Sequence, residues 1–497
     1  MQKRIKISLA STLIIGALFL SSFLAMGILG TTKAQTIQTS SETIQYSPDG
    51  KGYLKEIANG KYYLHLEGSP YEMGYQAGYL DPSSVARLAS EDWFRSVAYN
   101  ILDAPEWAQS IVFQLVLGKS RLKDVCGDVL SDETIDQYDA NLGDSIEDMM
   151  YKMLGLCSEL IDAQIEQGYV PQEFLTEMKG VRDGAQDAGY DVTLQEVYLL
   201  NLGMDALLTL GYPVATDFLR LMDMFNLHAC AGFVAQDGAT TNGQTIMGRH
   251  FQFTDYITHE EMCIIEFSPN NGNEILATSC AGFVGVTAGM NNQGIGIGMD
   301  MSPAKDCDPA HFGMGTLLTT RYALQYCDQG SEVVNFIESI PHGCTWIYGI
   351  GDGRNGETGG CALEVSANHI RERTMDYEHP WWHIFGVRDQ IEEKDDLVTY
   401  TNHYIHVRMN DLSDAVSIDD SKDRYSWITN DALSNYGNID LETGCTIINY
   451  LSPAIRDYYG DDITQTVKTS ITCWDLTNLQ GKALFGHYDD SWVSFGF

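Results

Sequence analysis

The stretch from Asn226 to Phe253 constrains this chain more than any other. Ala229-Cys230-Ala231-Gly232 leads into the apolar run Phe233-Val234-Ala235. Asp237-Gly238 and Asn242-Gly243 follow, and then a second run, Thr245-Ile246-Met247-Gly248-Arg249. Two short apolar runs joined through Asp-Gly and Asn-Gly steps read as a β-hairpin. Such a hairpin sets a cysteine at the head of one strand and an arginine in its partner. A fixed positive charge beside a thiol favours the thiolate, which is the reactive form.

The same stretch divides the chain in texture. Residues 36–55 are rich in Thr, Ser and Gln and read as a linker. Tyr62–Glu67 alternates like a strand, and Gly74 and Gly78 lie on one helix face, where they permit close backbone approach. From about residue 85 to 206 the pattern is helical. Ser145-Ile146-Glu147-Asp148 carries a capping-box signal, Pro171 opens another helix, and Thr193-Leu194-Gln195-Glu196 caps a third. Beyond Cys230, strand-like runs appear at 262–267, 274–280, 284–288, 295–299, 345–350, 361–366, 397–401 and 469–476. Turns such as Asn291-Asn292-Gln293-Gly294 join them, and helical patterns intervene near 313–340 and 424–436. Hairpin-joined strands predict antiparallel sheets with helices on their outer faces. The resulting division is 1–35, 36–55 as linker, 56–229 as a mainly helical region, and 230–497 as the catalytic domain.

The amino end is an address. Lys3, Arg4 and Lys6 precede an uncharged apolar run from Ile7 to Gly30, followed by small residues around Ala34. This fits an export signal, and the run is also long enough to stay as a membrane anchor. Both readings put the body outside the cytoplasm, secreted or anchored to the outer face of the membrane. The formal charge of -38, from 68 acidic against 30 basic residues, has no basic stripe to offset it. A surface so acidic repels phosphate backbones, so nucleic acid is excluded as a partner; it also suits a saline medium, where self-repulsion is screened. The 11 cysteines include no C-x-x-C pair, which argues against a zinc ribbon. Setting Cys230 aside leaves an even number that an exported protein can pair, in a pattern spacing does not reveal.

Other motifs fail on context. Gly351-Asp352-Gly353-Arg354-Asn355-Gly356 fits the dinucleotide fingerprint but precedes another strand rather than a helix, so it is a hairpin turn. Gly294-Ile295-Gly296-Ile297-Gly298 is a glycine-rich strand. His403-x-x-His406 lacks the glutamate of a zincin motif. No metal or cofactor is expected.

An ordinary thiol has a pKa near ~8.5, so nucleophilic attack at neutral pH requires a lowered value or a base. Arg249 offers the first. Cleavage of Ala229–Cys230 offers the second, because the freed α-amine would titrate near ~7.7–8.0 beside the thiol. Acyl transfer also needs donors aimed at an oxyanion. Thr401-Asn402-His403 at a strand end and Asn291-Asn292 in a tight turn are the candidates.

At these residues the chain resembles the cysteine amino-terminal-nucleophile (Ntn) hydrolases of the C45 type, the acyl-CoA:6-aminopenicillanate acyltransferase-like proteins. That group is related to choloylglycine hydrolase and acid ceramidase. The resemblance rests on Tyr71-Glu72-Met73-Gly74-Tyr75-Gln76-Ala77-Gly78, on Cys230 with Gly248-Arg249-His250-Phe251, on Gly289-Met290-Asn291-Asn292-Gln293-Gly294, and on Thr401-Asn402-His403-Tyr404, with the Trp474–Leu479 hairpin closing the series. It implies an α+β fold, a four-layer αββα sandwich of two antiparallel sheets, preceded by a mainly helical pro-region. It further implies Cys230 as nucleophile, self-cleavage between Ala229 and Cys230, Arg249 as support for thiol and amine, Asn402 as oxyanion donor, and Asn292 or Asn291 as a positioning group. Arg424 and His403 are carried over as substrate contacts. One position departs: where the family has Gly-Arg-Asn-x-Asp, the acid is replaced by Gln252, which can hydrogen-bond the amine without its charge, and Asp255 lies too far along a strand to be its equivalent.

The implied activity is hydrolysis or transfer at a linear amide of a small-molecule acyl substrate, through a thioester. Two alternatives remain open, a phospholipase B-like lipid hydrolase and an inactive relative acting as a surface binding protein.

Overall fold

Sixteen strands in two sheets and thirteen helices make up the computed structural model, which describes residues 44–58, 60–101, 106–141, 143–222, 230–252, 260–354, 359–377, 395–412, 418–449, 467–487 and 491–497. The apolar amino-terminal run, Ala229 and Asp255 lie outside these residues. Three strands come first, β1 (Ile44–Tyr46), β2 (Tyr53–Ala58) and β3 (Lys61–Gly68). Nine helices follow: α1 (Pro70–Leu80), α2 (Pro82–Ala89), α3 (Glu91–Ile101), α4 (Glu106–Val116), α5 (Lys119–Cys126), α6 (Asp132–Tyr138), α7 (Ile146–Glu166), α8 (Gln172–Asp187) and α9 (Leu194–Met222). After Cys230 come β4 (Ala231–Asp237), β5 (Gly243–Phe251), β6 (Met262–Pro269), β7 (Ile275–Cys280), β8 (Ala288–Asn291) and β9 (Ile295–Met301), then α10 (Thr316–Tyr326) and α11 (Gly330–Ser339). The remainder is β10 (Trp346–Asp352), β11 (Gly360–Val365), β12 (Ile370–Thr374), β13 (Leu397–Thr401), α12 (Ile418–Ser434), α13 (Leu441–Ile448), β14 (Val467–Asp475), β15 (Gln480–His487) and β16 (Val493–Gly496).

The larger sheet runs β1-β2-β3-β6-β7-β8-β9-β10-β11-β12, the smaller β13-β4-β5-β14-β15-β16. Every neighbouring pair is antiparallel except β3 with β6, which is parallel. This exception follows from connectivity: β3 reaches β6 only through nine helices and a hairpin, and a parallel pair needs such a crossover. Helices α10 and α11 cover β8–β10, and α12 and α13 cover β13, β4, β5 and β14, giving the αββα layering of an α+β fold. Residues 44–55, expected as linker, instead form β1 and the start of β2. Their polar side chains are no obstacle to a short exposed edge strand held by backbone bonds.

The glycine-rich strand explains how the two sheets approach. Gly296 and Gly298 of β9 face the smaller sheet, and a methyl group on either would meet Leu476 at 2.8 Å or the Arg249 Cδ at 2.8 Å. Gly349 of β10 similarly leaves room for the Tyr400 ring across the sheets, and Gly232 of β4, its partner within the smaller sheet, clears the same ring. Large side chains of one sheet thus lie against bare backbone of the other, as close packing requires.

The expected caps of α7 and α9 are present: Ser145 and Asp148 close a capping box, and Thr193 and Glu196 exchange bonds at the start of α9. Gly74 and Gly78 serve helix packing, since a Cβ there would strike the Glu177 and Val181 carbonyl oxygens of α8. The run Val284–Ala288 is irregular until its last residue, which opens β8. Its amides bond out of register, Val284 to the Asn201 side chain at 2.7 Å and Val286 to the Leu317 carbonyl at 3.1 Å. Residues 42–497 form one compact unit, so helices α1–α9 share a core with the sheets.

Candidate active site

The hairpin expected around Cys230 is β4 paired with β5, with Gly232 opposite Arg249 and Ala231 opposite His250. On its other edge β4 pairs with β13, Ala231 opposite Thr401. That register sets Cys230 beside Asn402. The Cys230 N–H donates to Asn402 Oδ1 at 3.0 Å, and Asn402 Nδ2 donates to the Met301 carbonyl at 2.7 Å. Asn402 therefore clips the head of β4 to the end of β9, using one of its two amide protons. The Cys230 carbonyl accepts from Arg424 Nη1 at 2.5 Å. Cys230 is held from both backbone sides.

The thiol is buried, 2% exposed. Its Sγ donates to the Gln252 backbone carbonyl at 3.5 Å, and the Arg249 guanidinium is its other polar neighbour. Arg249 also donates to the His250 and Met299 carbonyls and pairs with Asp300 at 3.0 Å, both charged groups being buried. Burial raises the thiol pKa above its ordinary value; Arg249 pulls it down and Asp300 pushes it up. Burial likewise carries Asp300 up to about 7 against the pull of Arg249 and Arg424. Arg249 stays protonated: burial opposes its charge, but Asp300 and Cys230 more than offset that. Tyr400 stands in the same field, its hydroxyl held neutral by burial and by Asp300. The net result is a protonated thiol at neutral pH, so the arginine alone does not deliver a thiolate.

Cys230 opens on an apolar cavity of about 40 Å³, which has room for about one to three waters and no acyl chain until its walls move. Its walls mix the two halves of the chain: Trp93, Phe94, Leu200 and Met204 from α3 and α9, and Met299 and Trp346 from the larger sheet, among others. Next to it, Asp205 of α9 accepts from the Thr316 N–H at 3.0 Å and from Trp346 Nε1 at 3.0 Å, with burial raising its pKa to about 6.

The expected site residues divide into two groups. Cys230, Arg249, Gln252, Asn402 and Arg424 converge. Asn291 and Asn292 do not: they sit in the β8–β9 turn, at the far end of β9 from Met301, roughly 20 Å along the strand. Asn291 donates to the Leu324 and Cys327 carbonyls and accepts from the Gln293 and Ile295 N–H groups, which is turn-building work. Asn292 is on the outside, near Glu274. His403 is locked by Ser421 and Thr401 through Nδ1, and burial lowers its pKa to about 3, so it is a neutral structural ring. Arg424 grips the Cys230 carbonyl rather than facing the cavity. Ala229 lies outside the described residues. Among the described residues no cluster of His, Cys, Asp or Glu could hold a metal ion.

Asp300 is the participant that sequence reasoning missed. Its signal was there: in Gly296-Ile297-Gly298-Met299-Asp300 the alternation puts the acid on the face of the two glycines, which is the face Arg249 crosses.

Residues 244–471 match the family model described as acyl-coenzyme A:6-aminopenicillanic acid acyl-transferase. The chain belongs to this family. An uncharacterized protein of Archaeoglobus fulgidus is 41% identical over 447 residues, which is 90% of this chain and 67% of the relative. The family model begins after Cys230 and takes in Arg249, Gln252, Asp300, Asn402 and Arg424. Members of the acyl-transferase family are Ntn hydrolases, enzymes of the amidohydrolase and acyltransferase type. Among solved structures the chain is similar to the Caenorhabditis elegans N-acylethanolamine-hydrolyzing acid amidase ortholog, at 13% identity and a TM-score of 0.33 over 50% of this chain and 93% of that one. It is also similar to a mutant of conjugated bile acid hydrolase from Clostridium perfringens, at 13% and 0.35 over 54% and 92%. Penicillin V acylase from Agrobacterium tumefaciens gives 14% and 0.32 over 52% and 83%.

Proposed function

We propose that the protein is an extracytoplasmic thiol amidohydrolase or acyltransferase, acting on a linear amide with an apolar acyl group and made competent by cleavage of Ala229–Cys230. The observation that carries this reading is the Cys230 thiol, buried at the mouth of an apolar cavity with the Arg249 guanidinium beside it. In the intact chain the Cys230 nitrogen is an amide donating to Asn402, and among the described residues Sγ meets only Gln252 and Arg249. A raised thiol pKa in such surroundings needs a base, and an α-amine at residue 230 is the group that cleavage would supply.

In the first step the thiol adds to the Ala229 carbonyl. The C–N bond to Cys230 breaks, its nitrogen takes a proton, and water releases Ala229 as a carboxylate, leaving a free thiol and amine. In turnover the amine takes the Sγ proton and the thiolate adds to the acyl carbonyl of the substrate. The leaving amine departs with a proton, and water or a second amine resolves the thioester. Arg249 stabilises the thiolate, Asn402 holds the amine where Cys230 N–H now sits, and its second amide proton serves the oxyanion. Gln252 is the neutral amide beside the amine. The extracytoplasmic setting rests on the basic, apolar amino end, cleaved or kept as an anchor.

Intact mass and amino-terminal sequencing test this. Two fragments are expected, the second beginning at Cys230, with cleavage and reaction toward an acyl electrophile both lost in Cys230→Ala. One intact chain with an unreactive thiol would refute the reading and leave a surface binding protein. Turnover of lipid esters rather than amides would move the substrate to the phospholipase B-like class.

A further inference from the structure

Two cysteines unconnected with this chemistry stand in contact between the end of β9 and the start of β10. Cys307 lies in the loop between β9 and α10, and Cys344 two residues before β10. The β9–β10 ladder continues past its last pair through the Ser302 N–H to the Thr345 carbonyl at 3.2 Å, and the strands meet again where Asp308 N–H donates to the Gly343 carbonyl at 2.8 Å. Approach at that point is so close that a methyl group on Gly343 would lie 2.2 Å from the Asp308 carbonyl oxygen. The flanking backbones are therefore fixed against one another, and the two thiols between them are in hydrogen-bond contact.

We propose that Cys307 and Cys344 are a redox-active pair that closes to a disulfide. Bridging needs close Cβ atoms and facing sulfurs, and here backbone contact sets both chains before any bond forms. Access decides which pair reacts. Cys445 and Cys473 also touch, but both are buried, whereas Cys307 is half-exposed and Cys344 lies behind it. A low-molecular-weight disulfide is the oxidant. The Cys307 thiolate attacks it and expels one thiol, leaving a mixed disulfide. Cys344 then attacks the Cys307 sulfur and expels the second. Two protein thiols lose two electrons and two protons, and the external disulfide leaves as two thiols. Burial holds the Cys344 thiol well above its ordinary pKa, which makes it the resolving rather than the attacking partner.

The bond would staple a loop with both ends at the cavity, since Met301 precedes it and Thr316 follows it, and both line the wall. This holds whether or not Cys230 is the nucleophile. The test uses the full chain, reduced, then exposed to oxidised glutathione and digested without reductant. A linked Cys307–Cys344 peptide is expected, together with a higher melting midpoint, both reversed by dithiothreitol and both absent in Cys307→Ser. An unchanged midpoint for reduced Cys307→Ser shows that the substitution itself is tolerated. Glutathione that remains on Cys307, or a Cys344 still alkylated in full after oxidation and unfolding, would overturn the proposal.

Discussion

Asp300→Asn separates the electrostatics of the site from its shape. The substitution keeps volume and planarity and removes one charge, 3.0 Å from Arg249 in a fully buried setting. At an effective dielectric of about 20 the gross attraction at that distance is roughly 5–6 kcal/mol. Breaking a buried pair by removing one partner typically destabilises by about 3–5 kcal/mol, because the remaining charge is uncompensated. Because burial carries Asp300 up to about 7, the pair is fully charged only above that pH, and urea unfolding at about pH 8.5 should show a loss in that range. The thiol should respond in the opposite sense. Asp300 opposes the Cys230 thiolate while Arg249 favours it, so removing the acid leaves the arginine unopposed. A single nearby charge moves a pKa by about one unit or more. The pH midpoint for alkylation of Cys230, followed peptide by peptide with iodoacetamide, should fall by about that much. A weaker protein with a more acidic thiol is the signature. A midpoint that stays or rises, or a stability unchanged by the substitution, would refute this account of how Arg249 is balanced.

Two further predictions probe the frame around the site. Gly298→Ala places a methyl group 2.8 Å from the Arg249 Cδ and 3.2 Å from the Tyr400 hydroxyl; overpacking of this kind costs about 1–3 kcal/mol, and the thiol alkylation midpoint should rise as the guanidinium is displaced. Gly296→Ala, which meets Leu476 and Met247 instead, should destabilise similarly and leave that midpoint alone. His403 has a folded pKa of about 3 against an ordinary 6.5 because burial disfavours its charge. The unfolded chain thus binds the extra proton between those values, so this stability is present above about pH 6.5 and is lost as pH falls toward 3, by up to about 1.4 kcal/mol per unit. Urea midpoints measured from pH 7 to 4.5 should fall less steeply in His403→Gln than in the parent, and equal slopes would sink the assignment.

What the sequence disclosed about this site follows the range of each interaction. The Cys230–Arg249 hairpin is local, and turn chemistry alone located it. Asn402 stood out only as a strand-end amide, and its contact with Cys230 was out of reach of periodicity, because a register between β4 and β13, more than 160 residues apart, brings the two together. Asn291 and Asn292 were misplaced for the converse reason. An Asn-x-Gly turn looks the same whether its side chain serves a substrate or, as here, caps the end of α10 and its own turn. The layering was legible in the hairpins, but the parallel β3–β6 pair was not, since no local pattern records which strand completes an edge. Val284–Ala288 looked like a strand because its composition suits one, and it lost the ladder to the side chain of Asn201.

Charge balance gives the departure at Gln252 a physical reason. A buried guanidinium requires a counter-charge, and in the family pattern a carboxylate stands three residues after the arginine. Here Asp300 pairs with Arg249 from the other sheet. Position 252 therefore need not supply that charge. Its backbone carbonyl already receives the thiol proton. The charge that balances Arg249 has moved from the hairpin to the facing sheet, and the strand of glycines that lets Arg249 cross is what makes that move feasible.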